Sequence, residues 1–177
     1  MRDEFEPGHI VSTVLPVDYT AGNRLGALIS EIHPAAWIGF GLSQRARAIT
    51  LERVAYNLDD TPMPDNRGNV RQGRLIEADG PAAFESTLPL ADIHAALERQ
   101  NIPVTYSDDP GRYICNHVFY HAAAAVQRLR TDTLLGFIHL PWPCDWEEVP
   151  APGHSLALGT LVQAAKACVG QIDRMRK

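Results

Sequence analysis

The chain has 177 residues, enough for one compact domain with a sizeable core and short for two. Hydrophobic residues make up 45% and charged residues 21%, the balance of a packed globular protein and not of a disordered or fibrous one. A net charge of -5 without a lysine or arginine block gives no electrostatic basis for nucleic acid or an anionic membrane as partner, and three cysteines are too few and too odd for a disulfide framework.

The acidic start MRDEFEPGHIVSTV lacks the basic and apolar regions of a secretory signal. The apolar runs fall short of the roughly 20 residues a membrane helix needs, so a cytoplasmic location with reduced thiols is expected. Ile10 to Leu15 is β-prone and predicts a first strand. After Pro16, Leu25, Leu28, Ile29 and Ile32 recur at helical spacing over Ala21 to His33, and Pro34 ends the helix. Ala36 to Gly41 (AWIGFG) reads as a strand buried on both faces, and Ile49 to Leu58 as a further extended segment. Asp59 to Gly80 carries Asp, Pro, Asn, Gly and Arg without a period, which predicts a long loop or hairpin region.

Pro89 introduces a helix to about Arg99, Ile102 to Tyr106 supplies another strand, and a helix is expected from about Asn116 to Arg130. Leu134 to Leu140 (LLGFIHL) returns as a buried strand. A Pro-rich loop, Pro141 to Gly153, then leads to a final helix ending near Met175. Ser155 is the expected N-cap of that helix, whose stripe is Leu158, Leu161, Val162, Ala165, Val169 and Ile172. Strands alternating with helices predict an α/β fold, a three-layer α/β/α sandwich on a mixed, mostly parallel central sheet. No glycine-rich phosphate loop follows any of these strands.

Three cysteines divide by context. Cys115 stands where an extended segment enters a helix, and there unpaired N–H groups and the helix dipole favour a thiolate. A buried small hydrophobe is the competing reading of that position. Cys168, on the last helix, is expected to pack, and Cys144 lies in the exposed Trp142-to-Trp146 loop. His139, at the carboxyl end of its strand, is the best candidate base for a cysteine nucleophile. Its distance of 24 residues from Cys115 fits neighbouring parallel strands joined by one helix. Glu52 is harder to place, and taken alone it reads as a surface carboxylate paired with Arg53 or Arg45. Cys115, His117 and His121 offer a competing metal site, but the histidine pair lacks the intervening Glu of a zinc protease.

Five blocks then stand together: ERVAYN (52–57), PDNRGN (64–69), DGPAAFESTLP (79–89), YICNHVFY (113–120) and GFIHLP (136–141). In this order and spacing the chain resembles the pyroglutamyl peptidase I, or pyrrolidone-carboxylate peptidase, family from about Leu15 onward. The resemblance assigns Cys115 as nucleophile, His139 as general base and acid, and Glu52 as the group orienting the histidine. It places Met63, Tyr113 and Ile114 along the slot for the pyroglutamyl ring, Met63 standing where isoleucine is usual. It implies a cytoplasmic, commonly homo-oligomeric peptidase that acts on peptides with N-terminal pyroglutamate and uses neither metal nor cofactor.

Some features depart from that pattern. Measured against the family, the chain would be a single domain over residues 1–177 without the family's first strand and its GFxPFGG-like loop. Pro62 occupies the place of an arginine, and Leu42 that of the glutamine in a Gly-Gln-Ala turn. These departures leave open a non-catalytic or specificity-shifted relative that serves as a binding or assembly subunit.

Overall fold

The computed structural model describes residues 10–145 and 155–175. In chain order the elements are α1 (Ala21–Ile32), β1 (Ala36–Leu42), β2 (Ile49–Glu52), β3 (Val54–Tyr56), β4 (Asp59–Thr61), β5 (Arg71–Arg74), β6 (Ala83–Glu85), α2 (Leu90–Glu98), β7 (Val104–Ser107), α3 (Ile114–Leu129), β8 (Leu134–Leu140) and α4 (Leu158–Met175). The central sheet has the order β1-β8-β2-β7. β1 runs parallel to β8 and β2 parallel to β7, while β2 and β8 are antiparallel. Beside it lie two small antiparallel pairs, β3 with β6 and β4 with β5.

The core divides on the two faces of this sheet, as a three-layer sandwich requires. Leu135 and Phe137 of β8 pack with α1 and α3, whereas Ile138 packs with Ile49 and Leu51 of β2 and with α2 and α4. Successive strand residues point to opposite faces, so His139 falls on the α3 side with Phe137, and Thr50 and Glu52 fall there opposite Ile49 and Leu51. Both faces being covered, a carboxylate at position 52 has no route to solvent. Among the described residues no helix is long and apolar enough to cross a membrane.

Several expectations need correction. Ile10 to Leu15 forms no strand: Val11 to Val14 are exposed and pair with nothing among the described residues. β1 is half-buried, because among the described residues it is the edge of the sheet and only β8 pairs with it. The extended segment from Ile49 breaks at Arg53, where the chain leaves the central sheet for the β3–β6 pair. β7 and β8, which flank α3, are not neighbours, since β2 lies between them and runs against β8.

Ser155 does not cap α4. That helix starts three residues later, and the Asp145 carboxylate accepts from the Leu158 N–H at 2.9 Å. Its buried stripe is also rotated from the expected one. Leu161, Ala164, Ala165, Cys168 and Ile172 are inside, while Leu158 and Val162 are each 41% exposed, because small residues form the face that meets α2. Residues 1–9 of the acidic start and 146–154 of the Pro-rich loop, Trp146 included, lie outside the described residues.

Candidate active site

α3 opens from Tyr113, whose extended backbone turns into the helix at Ile114 with no side-chain cap. Cys115 therefore sits in the first turn, where backbone N–H groups lack intrahelical acceptors and the dipole favours negative charge. The residues around it are anchored. Ile114 is 5% exposed in the α1–α3 core cluster. Asn116 is fully buried and ties the helix to the β3–β4 strip, accepting from Tyr56 N–H at 2.8 Å and donating to the carbonyls of Tyr56 and Leu58 at 2.9 and 3.0 Å.

β1 meets this turn through glycine. A Cβ placed on Gly41 would lie 3.0 Å from Cys115 Sγ and 2.8 Å from Phe137 Cζ, so no larger residue fits without displacing the sulfur or the ring. Gly41 is also the register partner of His139 across the β1–β8 pair. His139 is 7% exposed and its ring packs on Phe137 at 5.1 Å.

His139 Nδ1 stands 2.7 Å from Glu52 Oε1, and Glu52 is 1% exposed. A carboxylate accepts, so Nδ1 carries the proton and Nε2 is left for the other side of the ring. Burial disfavours the charged imidazole, but hydrogen bonds to Cys115 and Glu52 and their charges outweigh it, and the His139 pKa is pushed up to about 9. Cys115, His139 and Glu52 are thus brought together from α3, β8 and β2. The surface reading of Glu52, paired with Arg53 or Arg45, is overturned by its burial; Arg53 instead pairs with Asp108. The second oxygen of Glu52 has no partner among the described residues.

The three slot residues are distributed differently. Tyr113 donates from its hydroxyl to the Pro64 carbonyl at 2.9 Å, which fixes the loop bearing Met63 against the start of α3, and Met63 is 54% exposed. Ile114 belongs to the core and presents little surface.

The other cysteines match their expected surroundings, Cys144 exposed and Cys168 buried, with burial raising the Cys168 thiol to about 12. His117 and His121 pack ring to ring at 4.5 Å. His117 Nδ1 faces Asp59 at 3.0 Å and its Nε2 faces the Tyr19 carbonyl at 3.2 Å. Burial and the neighbouring His117 lower the His121 pKa to about 4. No group of three or more His, Cys, Asp and Glu side chains suited to a metal occurs among the described residues.

Sequence reasoning missed the buried network behind this turn. Asp59, fully buried, takes His117 on one side and Arg71 at 2.8 Å on the other, and the Arg71 guanidinium lies over the Tyr19 ring at 4.0 Å. An acid inside an otherwise turn-like segment was the available signal, but its partner on α3 is 58 residues away.

Residues 3–175 match the family model described as "Pyroglutamyl peptidase". The chain is 36% identical to a pyrrolidone-carboxylate peptidase of Oceanobacillus iheyensis, over 93% of this chain and 82% of the relative. It is 38% identical to pyrrolidone-carboxylate peptidase 1 of Photorhabdus laumondii, over 96% and 80% respectively. Among solved structures, pyroglutamyl peptidase I of Bacillus amyloliquefaciens aligns with a TM-score of 0.83 at 33% identity, covering 90% of this chain and 77% of that one. A mutant pyrrolidone carboxyl peptidase from Pyrococcus furiosus aligns with a TM-score of 0.86 at 29% identity, covering 93% and 81%.

Proposed function

The chain belongs to the pyroglutamyl peptidase family, and from that premise we propose that it is a cysteine-type omega peptidase removing N-terminal pyroglutamate from peptides. The observation that carries this reading is the convergence of three side chains: Cys115 at a helix amino terminus, the His139 imidazole raised to about 9 by its neighbours, and the buried Glu52 that receives its Nδ1–H at 2.7 Å. In cysteine chemistry the thiolate is the nucleophile, and the imidazole placed beside the sulfur is the group that exchanges its proton.

In the forward step the Cys115 sulfur attacks the carbonyl carbon that joins pyroglutamate to the next residue, and the electron pair moves to the carbonyl oxygen. Backbone N–H groups of the first turn of α3 are the donors nearest that oxyanion. Collapse of the adduct breaks the C–N bond, His139 Nε2 delivers its proton to the departing amine, and a thioester remains on Cys115. His139, now neutral, takes a proton from water; the hydroxide attacks the thioester, pyroglutamate leaves as the acid, and the sulfur is restored. Glu52 keeps the ring in one tautomer and balances the imidazolium charge through both halves.

Met63 and Tyr113 wall the ring slot, with Ile114 fixing its floor through the core. The same reading takes the chain as one catalytic domain, homo-oligomeric and cytoplasmic, with neither metal nor cofactor. Hydrolysis of a pyroglutamyl-coumarin amide by the purified chain, lost in Cys115→Ala, is the expected result. No turnover, together with a Cys115 that reacts with iodoacetamide no faster than free cysteine, would overturn it in favour of a non-catalytic binding or assembly subunit.

A further inference from the structure

His117 is a buried ionisable side chain that the cysteine chemistry above does not use. It follows Cys115 by two residues, and its backbone N–H closes the first turn of α3 onto the Tyr113 carbonyl at 3.0 Å. Cys115 lies within the loop so closed. The His117 side chain is 1% exposed. The Tyr19 ring meets it edge-on at 5.3 Å, and the His121 ring packs on it at 4.5 Å. α1 approaches through Gly22, where a Cβ would stand only 2.8 Å from His117 Nε2, so a glycine is what leaves room for the ring.

Both nitrogens of this ring face acceptors. Nδ1 stands 3.0 Å from Asp59 Oδ2, and the Arg71 guanidinium donates to the same oxygen at 2.8 Å, so Asp59 is a carboxylate and accepts. Nε2 stands 3.2 Å from the Tyr19 carbonyl oxygen, which also accepts. A neutral imidazole carries one proton, and in either tautomer one nitrogen would aim its lone pair at an oxygen lone pair inside a closed pocket. The doubly protonated ring donates to both and leaves neither acceptor unpaired. The neighbouring side chains agree with a charge on His117. Asp59 supplies the counterion, and His121 is held neutral, its pKa lowered to about 4 by burial and by the His117 charge. The Tyr19 hydroxyl, raised to about 12 by burial and the Asp59 charge, adds no second anion.

Resting on the peptidase reading above, we propose that His117 is a positioning residue: an imidazolium, bonded to the Asp59 carboxylate and the Tyr19 carbonyl, that holds the first turn of α3 where Cys115 meets His139. The sulfur has little room to move. A Cβ on Gly41 would already stand 3.0 Å from Sγ, and Cys115 must keep its hydrogen bond with His139. Asn116 ties the turn to the β3–β4 strip, and His117 ties it to Asp59 of β4 and to the residue two places before α1. Loosening the His117 bonds frees one side of the turn, and a misplacement of about 1 Å at a reacting atom costs up to roughly 100-fold in rate.

Nitrogen NMR of the whole chain carrying isotope-labelled histidine reads the ring without substrate and without a variant fold. Directly bonded hydrogens on both His117 nitrogens are expected under the assay conditions, with the signals identified by their loss in His117→Gln or His117→Asn. A bare nitrogen on this ring overturns the imidazolium. The positioning role is read with the same two variants, since an asparagine amide reaches toward Asp59 and a glutamine amide toward the Tyr19 carbonyl, each replacing one of the two bonds. Alkylation of Cys115 by iodoacetamide, followed by peptide mass mapping, is expected to slow about threefold to tenfold in whichever variant folds, and kcat toward pyroglutamyl-coumarin to fall about tenfold with KM held within about twofold. Alkylation and turnover at the wild-type rates, or a raised KM at unchanged kcat, overturn the positioning role. Failure of the wild-type chain to hydrolyse pyroglutamyl-coumarin would instead sink the peptidase reading, while the ring hydrogens and the Cys115 alkylation rates still decide the place of His117.

Discussion

Glu52→Gln removes a charge from the site and keeps its shape, which makes it the most direct test of how the site is held. Glu52 is 1% exposed, accepts from His139 Nδ1 at 2.7 Å, and has a second oxygen with no partner among the described residues. Carrying His139 from 6.5 to about 9 corresponds to on the order of 3 kcal/mol in favour of the imidazolium. Burial opposes that charge most strongly, and Cys115 and Glu52 together overcome it. A group whose pKa rises on folding stabilises fully below its unfolded value and loses that contribution as pH climbs through its folded value. The window here runs from about 6.5 to about 9.

With glutamine at position 52, Cys115 alone works against burial, the ring titrates lower, and roughly 1–2 kcal/mol of stability is missing near pH 6. Near pH 10 the ring is neutral in both proteins and the gap narrows. Denaturant unfolding across this range measures the gap, and NMR titration of the His139 ring gives its midpoint. The same variant is expected to lose on the order of 10³-fold in kcat/KM toward pyroglutamyl-coumarin. A stability gap constant from pH 6 to pH 10, or a His139 midpoint unmoved by the substitution, would refute the reasoning.

In the folded protein, iodoacetamide should modify Cys115 and Cys144 but leave Cys168, which is buried with its thiol raised to about 12; peptide mass mapping before and after unfolding reads this directly. Gly41→Ala should lower kcat more than stability, because its Cβ would press on Cys115 Sγ at 3.0 Å, and a melt shifted by no more than about 1–3 kcal/mol alongside a steady-state assay checks it. Asn116→Ala leaves Tyr56 N–H and the Tyr56 and Leu58 carbonyls without their partner, and about 2–4 kcal/mol of unfolding free energy should be lost in urea titration. Leu42→Gln, which places at that turn the polar residue the resemblance to the family implies, should raise kcat/KM without changing the melting temperature.

Elements whose own residues decide their burial were legible in the sequence. LLGFIHL reads as a buried strand and is one over Leu134–Leu140, because β8 has neighbours on both edges and helices on both faces. AWIGFG has the same apolar look, yet it lies at the sheet edge and is half-buried; position within a sheet is a property of partners. Ile10 to Leu15 carries strand-forming residues and finds no strand to pair with. In α4 the period was read correctly and its phase was not, since Ala164 and Cys168 allow a close approach that Leu158 and Val162 do not. Glu52 shows the same limit at the site. Alternation with Ile49 and Leu51 assigns its face, but that this face is covered depends on α3, and its partner His139 lies 87 residues away.

One helical turn connects most of the candidate site. Successive residues of a helix point about 100° apart, so Cys115, Asn116 and His117 must address three different neighbours. Cys115 faces Gly41 and His139 at the sheet, Asn116 grips the β3–β4 strip, and His117 reaches Asp59 and the Tyr19 carbonyl. Asp59 passes that last contact to Arg71, whose guanidinium covers Tyr19. The buried Asp59 answers a histidine on one side and an arginine on the other, and so ties the first turn of α3 to the β4–β5 pair.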